Sequence, residues 1–519
     1  MATDPQEAPT DESGVLVNRA PTQVSRPATG EPRPTADPTT FLVRHPSDGP
    51  FYDAIKAFNA KHGIHALPFP PPRGSANGGE PVLTLHDVLG GSASTGAGTG
   101  ITWITNNKQI VFHALGDCGS TRGPSTQNLV VDKMVADFNE ASNTEVPQFH
   151  VLLGDIVYSF GEVKYYYDQF YDPYRDYPAP ILAAAGNHDG LPAPDSGSQS
   201  LEGFLRNFCA DQFAVMPEAG GLARTAQIQP GVFFTFEAPF VTIIFLYSNA
   251  LEDPGVIADN DIGNSQLLFL RAALTRLKKA NYNGALLFAH HHPAYTLSRH
   301  GWSIDMQAQI DKICDEVGLW PHADLAGHAH NYQRFTRRRS DGTQVPYVVC
   351  GNGGHNVQKL SPVNGDVLRA PQVIQEATPG GTSSPLQDQV VFENYDDQNY
   401  GYLRIIADAQ QLRIEYHPAS DGTSSKTPDD FVTVSLADRQ LVHFDAPVLG
   451  RPKQAKQVAN TAAKALSAGP AAPQKRLEPH RKRSRKKTHG RRPTSHAAPV
   501  GRRKHSKAKR KKSRGYRRR

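Results

Sequence analysis

Five short polar motifs place Asp, Tyr, Asn and His along residues 116–330 of this 519-residue chain. They are Gly116-Asp117-Cys118-Gly119, Gly154-Asp155-Ile156-Val157-Tyr158, Gly186-Asn187-His188-Asp189, His290-His291-His292-Pro293 and Gly327-His328-Ala329-His330. Carboxylate, phenol, amide and imidazole together make a ligand set for hard or borderline metal ions. A soft thiolate site would need cysteines at close spacing. Cys118, Cys209, Cys314 and Cys350 have no Cys-x-x-Cys pattern, so they encode neither a zinc knuckle nor a disulfide framework, and they fit a reducing compartment.

Each motif follows a short apolar run, at 110–115, 149–153, 180–185, 285–289 and 323–326. Such runs, partly β-branched, read as buried strands. Strands of one sheet bring their carboxy ends together, and ligands bind along that edge in open α/β folds. The five strand ends are therefore expected to deliver their side chains to one spot. Leu267, Leu270, Leu274 and Leu277 recur on one face and predict a helix over 265–280, with Ser265 as its N-cap. Residues 231–248 read as two strands joined by a tight turn at Ala238-Pro239, and 402–406 with 412–416 as a further pair. The interleaving predicts an α/β protein, a mixed β-sandwich flanked by helices, over residues 106–450 with its body starting near Lys108. Residues 1–105 read as an N-terminal extension, largely disordered or irregular. Residues 1–50 are rich in Pro, Thr, Asp and Glu with few large apolar side chains. Residues 52–58 could form a short helix, but Pro68–Pro72 and the Gly/Ser/Thr stretch at 90–100 break regular structure. That stretch lacks the Lys-Ser/Thr ending of a phosphate loop and reads as a linker.

The motif set resembles the calcineurin-like metallophosphoesterases, and within them the purple acid phosphatase branch. Most of that superfamily opens with Asp-x-His, whose His is a ligand; here the third position is Gly119, and the phenol of Gly154-Asp155-x-x-Tyr158 makes up the loss. The resemblance implies two metal ions. The first would take Asp117, Tyr158, His330 and one oxygen of Asp155; the second would take the other oxygen of Asp155 with Asn187, His291 and His328. It further implies Fe(III) at the first position and a divalent Fe, Zn or Mn at the second. Phenolate and carboxylates suit a hard trivalent ion, and amide with imidazoles suit a borderline divalent one. His188 takes the place of a substrate-facing donor, and His300 falls in a loop where a second such His is often found. His290 and His292 read as packing or supporting residues, Asp189 and Asn331 as groups that orient ligands. Cys118 reads as a buried thiol, and His355 as a residue near the site rather than a ligand. The aromatic cluster Tyr165, Tyr166, Tyr167, Phe170 and Tyr171 reads as core and rim.

The implied activity is that of an acid phosphatase-like phosphomonoesterase, hydrolysing its phosphate ester by in-line attack of a metal-activated hydroxide. Two alternatives stay open: a phosphodiesterase or nuclease-like enzyme acting on a polyanion, and a polyanion-binding protein with a vestigial phosphatase body. The presence of all seven ligands argues against the last. Charge keeps the polyanion in play. Residues 451–519 carry 26 Lys+Arg against one acid, Glu478, a net of +25, so residues 1–450 hold a net of −19 within a whole-chain charge of +6. This basic tail reads as a disordered arm expected to bind nucleic acid or polyphosphate without sequence preference. The acidic start has no apolar h-region and no run is long enough to span a bilayer, so the expectation is a cytoplasmic protein without a transmembrane segment.

Overall fold

A computed structural model describes residues 41–45, 50–61, 66–91, 99–140, 145–193, 196–248, 250–361, 369–380, 383–419 and 428–442. Of residues 1–50, where disorder is expected, 1–40 and 46–49 lie outside the described residues, as does the basic tail at 451–519, while 41–45 and Pro50 are described. Helix α1 (Pro50–Lys61) leads, followed by β1 (Val82–Thr84), the single turn α2 (Leu85–Val88) and α3 (Ile101–Asn107). Next come β2 (Gln109–Leu115), α4 (Ser125–Glu140), β3 (His150–Leu153), β4 (Ile181–Ala184), α5 (Asn187–Gly190) and α6 (Glu202–Phe208). A hairpin of β5 (Phe234–Ala238) and β6 (Val241–Phe245) precedes α7 (Ser265–Lys279), β7 (Ala285–Ala289), α8 (Ile304–Val317) and β8 (Ala323–Ala326). The remainder is β: β9 (Tyr332–Arg338), β10 (Gln344–Cys350), β11 (Gln372–Gln375), β12 (Gln389–Asp396), β13 (Gly401–Asp408), β14 (Gln411–Pro418) and β15 (Asp430–Ser435).

These strands make two sheets, ordered β1-β5-β6-β7-β8-β10-β9-β12-β11 and β15-β14-β13-β2-β3-β4. The fold is the mixed α/β arrangement of two sheets flanked by helices that the strand and helix patterns predict. One expectation needs correction. The five motif strands do not share a sheet: β2, β3 and β4 are parallel neighbours in one, β7 and β8 in the other. All five are buried along almost their whole length. An apolar run buried on both faces carries no mark of which sheet it joins. The two sheets share one core, where Phe149 stacks on Phe112 at 4.5 Å and meets Phe236 of β5 edge-on at 5.0 Å.

Strand β1 pairs in parallel with β5, and Leu67, Leu83 and Leu85 are buried, so the packed body takes in segments ahead of Lys108. The turn at Ala238-Pro239 joins β5 to β6 in an antiparallel pair, and the expected pair near the C-terminus is β13 with β14. Helix α7 buries Leu270, Leu274 and Leu277 and half-buries Leu267, but its N-cap is Asn264, one residue before the expected Ser265. All four cysteines are free thiols.

Candidate metal centre

Three of the motif strands, β2, β3 and β8, end in a repeated turn: the last strand residue, a glycine, then a residue in left-handed backbone. Asp117, Asp155 and His328 have φ of 56°, 54° and 67°. Side chains other than glycine pay roughly 1–3 kcal/mol there, and such residues concentrate at functional sites. The strain is offset by bonds between turns. The His328 N–H donates to Asp117 Oδ2 at 2.7 Å and the His188 N–H to Asp155 Oδ1 at 2.9 Å. Each carboxylate thus has one oxygen tied to backbone and one left to face inward.

The free oxygens meet a buried phenol. Tyr158 Oη lies 3.0 Å from Asp117 Oδ1, 2.9 Å from Asp155 Oδ2 and 3.3 Å from His330 Nε2. His330 Nε2 also lies 3.3 Å from Asp117 Oδ1. The same Asp155 Oδ2, and not the other oxygen as expected, lies 3.3 Å from His291 Nε2, because Oδ1 is taken by the His188 N–H; His291 Nε2 is 3.0 Å from Asn187 Oδ1 and 3.2 Å from His328 Nδ1. The ligand atoms of Asp155, His291 and His328 all fall within 4.8 Å of one another. The structure therefore brings all seven expected ligands together, with Asp155 between two groups of donors. His291 Nδ1–H donates to Leu153 O at 2.8 Å, which turns Nε2 inward; Asn356 Oδ1 does the same for His330 by accepting from its Nδ1–H. Asn331, expected in that role, instead bonds Gln333 and Gln358.

Close backbone approach holds the assembly. A Cβ on residue 186 would sit 2.1 Å from Asp155 Oδ1, so only Gly186 lets α5 reach the shared carboxylate. At residue 119 a Cβ would sit 2.9 Å from the Tyr158 ring. A side chain there and the Tyr158 ring compete for one space.

Two carboxylates and a phenol converge in a buried place where, among the described residues, only imidazoles face them. Burial, and then the Asp117 and Asp155 charges, push the Tyr158 hydroxyl far up. For Asp155 burial would raise the pKa, but His291 and His188 outweigh it and hold the carboxyl well down. His291 is lowered by burial yet raised more by Asp155, to about 9. Asp189 is driven up to about 7 by burial and by Asp155. Such a cluster of buried negative charge calls for cations. His328 Nε2 is buried with no hydrogen-bond partner among the described residues. The donor set fits two hard or borderline metal ions.

The remaining residues sort around this centre. Asp189 accepts from Ile156 N, Val157 N and Gly186 N at 3.0, 3.3 and 2.8 Å, tying the β3 turn to α5. His188 Nδ1–H donates to Ser159 O at 2.8 Å, leaving Nε2 for another partner. The His300 ring lies 4.1 Å from the His328 ring, with Nδ1 facing Asp253 at 3.6 Å and Glu252 at 3.9 Å. The three consecutive histidines lie past the end of β7, so strand alternation does not set their directions. His290 pairs with Asp324 at 3.1 Å and His292 with Ser248 at 2.7 Å, while His291 alone joins the ligand cluster. Cys118 is buried and its thiol is pushed far up, mainly by burial, which makes it a poor nucleophile. His355 is a neighbour of more consequence than its sequence suggests: its ring stacks on Tyr158 at 3.7 Å and 8°. Tyr52 of α1, which no motif marks, stacks on His188 at 4.5 Å and 17°. The only sequence hint of Tyr52 was the short helical pattern at 52–58.

The model of the calcineurin-like phosphoesterase family matches residues 112–332, the stretch that carries all five motifs. No curated protein matches the chain. Among solved structures, GAP50, the anchor in the inner membrane complex of Plasmodium, matches with 14% identity and a TM-score of 0.39, over 61% of this chain and 86% of its own. PhoD matches at 12% and 0.37, over 69% and 77%. A predicted phosphoesterase from Streptococcus pneumoniae matches at 8% and 0.24, over 63% and 98%.

Proposed function

We propose that this chain, built on a calcineurin-like phosphoesterase domain, hydrolyses phosphate monoesters at a dinuclear centre of the purple acid phosphatase kind. Asp117, Tyr158, His330 and Asp155 would hold a trivalent iron, and Asp155, Asn187, His291 and His328 a divalent Fe, Zn or Mn. When bound, such a pair lowers the pKa of a water and neutralises phosphoryl charge. The protein's own part is positioning. Backbone N–H groups fix one oxygen of each carboxylate. Leu153 O and Asn356 Oδ1, each accepting an Nδ1–H, set the imidazole planes of His291 and His330. His188, whose Nδ1–H is held by Ser159 O, would as an imidazolium present Nε2–H to the leaving oxygen, with His300, its ring beside His328, as a second substrate-facing histidine from the loop after β7.

The observation that carries this reading is the place of the Tyr158 hydroxyl, within 3.3 Å of two buried carboxylates and an imidazole, in space that a side chain at Gly119 would obstruct. It accounts in atomic terms for a phenol where most of the superfamily has histidine. The test is metal analysis of the purified protein with an absorption spectrum and a panel of monoesters and diesters. The expected result is two metal ions per chain, one of them iron, a visible phenolate-to-iron band that Tyr158→Phe removes, and a preference for monoesters. A colourless protein replete with iron would overturn the tyrosinate assignment, and a preference for diesters would move the reading to the diesterase alternative.

A further inference from the structure

We propose that Tyr52, on helix α1, is a positioning residue of the metal centre, so that a segment outside the phosphoesterase domain completes the second metal position. The inference rests on the reading of Asn187 as a ligand of that metal. The two ends of a carboxamide are nearly equal in size, and its hydrogen bonds decide which end faces where. Asn187 Nδ2 donates to Tyr52 Oη at 3.1 Å, which leaves Oδ1 turned inward, 3.0 Å from His291 Nε2. The same tyrosine covers the next residue, its ring stacked on His188 at 4.5 Å and 17°. One side chain thus holds both the amide ligand and the substrate-facing imidazole.

Helix α1 is fastened so that it can do this. Tyr52 and Ile55 pack with Phe160, Leu191 and Leu251, three residues from the loops that follow Tyr158, α5 and β6. Ahead of α1, the Leu42 and Val43 N–H groups donate to the Asp168 carboxylate at 2.8 and 3.0 Å, and His45 Nε2–H donates to it at 2.9 Å. Gln169 then links His45 Nδ1, at 2.8 Å, to the Tyr158 N–H, at 2.9 Å. The N-terminal stretch is therefore tied to both ligand-bearing turns, Tyr158 on one side and Asn187-His188 on the other.

Loss of a group that orients a metal ligand typically weakens the metal ~10–100-fold. The full-length protein, stripped with a chelator, is titrated with Zn(II) by calorimetry. The parent is expected to take two ions in resolvable steps. Tyr52→Phe keeps the stack and loses the hydroxyl, so the step belonging to the second position should weaken ~10–100-fold while the other step stays as in the parent. Tyr52→Ala should show the same split and also lower kcat on a monoester, because His188 loses its support. Ile55→Glu, which undocks α1 without touching the site, should reproduce Tyr52→Ala and carries the test if Tyr52→Ala does not fold. Parental Zn(II) affinities in Tyr52→Phe overturn the inference and leave the proposed function standing. Equal weakening of both steps also overturns it, since Tyr52 would then be general packing. A parent that binds no Zn(II) overturns both.

Discussion

Asp155 has to face two ways at once, and its surroundings divide the labour between its oxygens. Oδ1 accepts the His188 N–H, while Oδ2 faces Tyr158 and His291. Removing it takes away the group common to both metal positions. Asp155→Ala is expected to lose both metal ions and nearly all activity, as read by elemental analysis and ester hydrolysis; retention of two ions would refute the shared ligand. His188 differs because its Nδ1 is spent on Ser159 O and the proposed ligand sets do not include it. His188→Ala should keep both metals and lower kcat by ~10²–10⁴, the range for general acid work. The defect should shrink on activated aryl phosphates, whose leaving groups need no proton. Equal losses on good and poor leaving groups would leave His188 only a positioning role.

At the scale of elements, the turns after β2, β3 and β8 stand on strands that are each paired on both sides within their sheet. β2 is held by β13, and β13 by β14. On the outer part of that sheet, Glu415 of β14 accepts from Arg404 at 3.2 Å, Arg413 at 2.5 Å and His417 at 3.2 Å, all buried. Burial alone would raise its pKa, but the His417 bond and the two guanidiniums hold it down at about 2. A carboxyl depressed in the folded state contributes stability above its unfolded pKa of about 4.3 and loses it as pH falls through about 2. Thermal unfolding of the parent should therefore weaken between those values. Glu415→Gln should flatten that part of the profile and destabilise the protein at pH 7 by ~3 kcal/mol, because two buried guanidiniums lose their counter-charge. An unchanged melting temperature at pH 7 would show that Glu145 and Phe431, the other partners of Arg404 and Arg413, suffice.

At the scale of the whole molecule, charge is segregated along the chain. Residues 1–450 carry −19 and residues 451–519 carry +25. No described helix is long and apolar enough to cross a membrane. Deletion of 451–519 should leave hydrolysis of small esters intact. It should abolish binding to DNA, RNA or polyphosphate, which in the full chain should be strong at low salt and fall steeply as salt rises, because counterion release drives it. Unchanged polyanion binding after truncation would make the segment a solvated tail. Loss of activity on a polymeric phosphate alone, with small esters spared, would favour a polymer-directed enzyme.

That these donors come together was legible in the sequence because they follow apolar runs at short, fixed offsets. A strand followed by a glycine and an acid or histidine is a local pattern, and a metal's donor preferences depend on side-chain type. The α7 periodicity, the β5–β6 turn and the β13–β14 pair were legible for the same reason: each depends on neighbours in the chain. The division of the five motif strands between two sheets was not, since a run buried on both faces reads the same in either. Which of the three histidines turns to the other donors is decided after β7 has ended, by Asp324, Ser248 and Asn187. Tyr52, His355, Asn356 and Gln358 reach the site only through packing. Tyr52 lies 135 residues from Asn187, and no spacing rule links them. Local pattern chose the donors. Tertiary packing chose what holds them, because orienting a ring or an amide takes a partner on its far side, and that partner can come from anywhere in the chain.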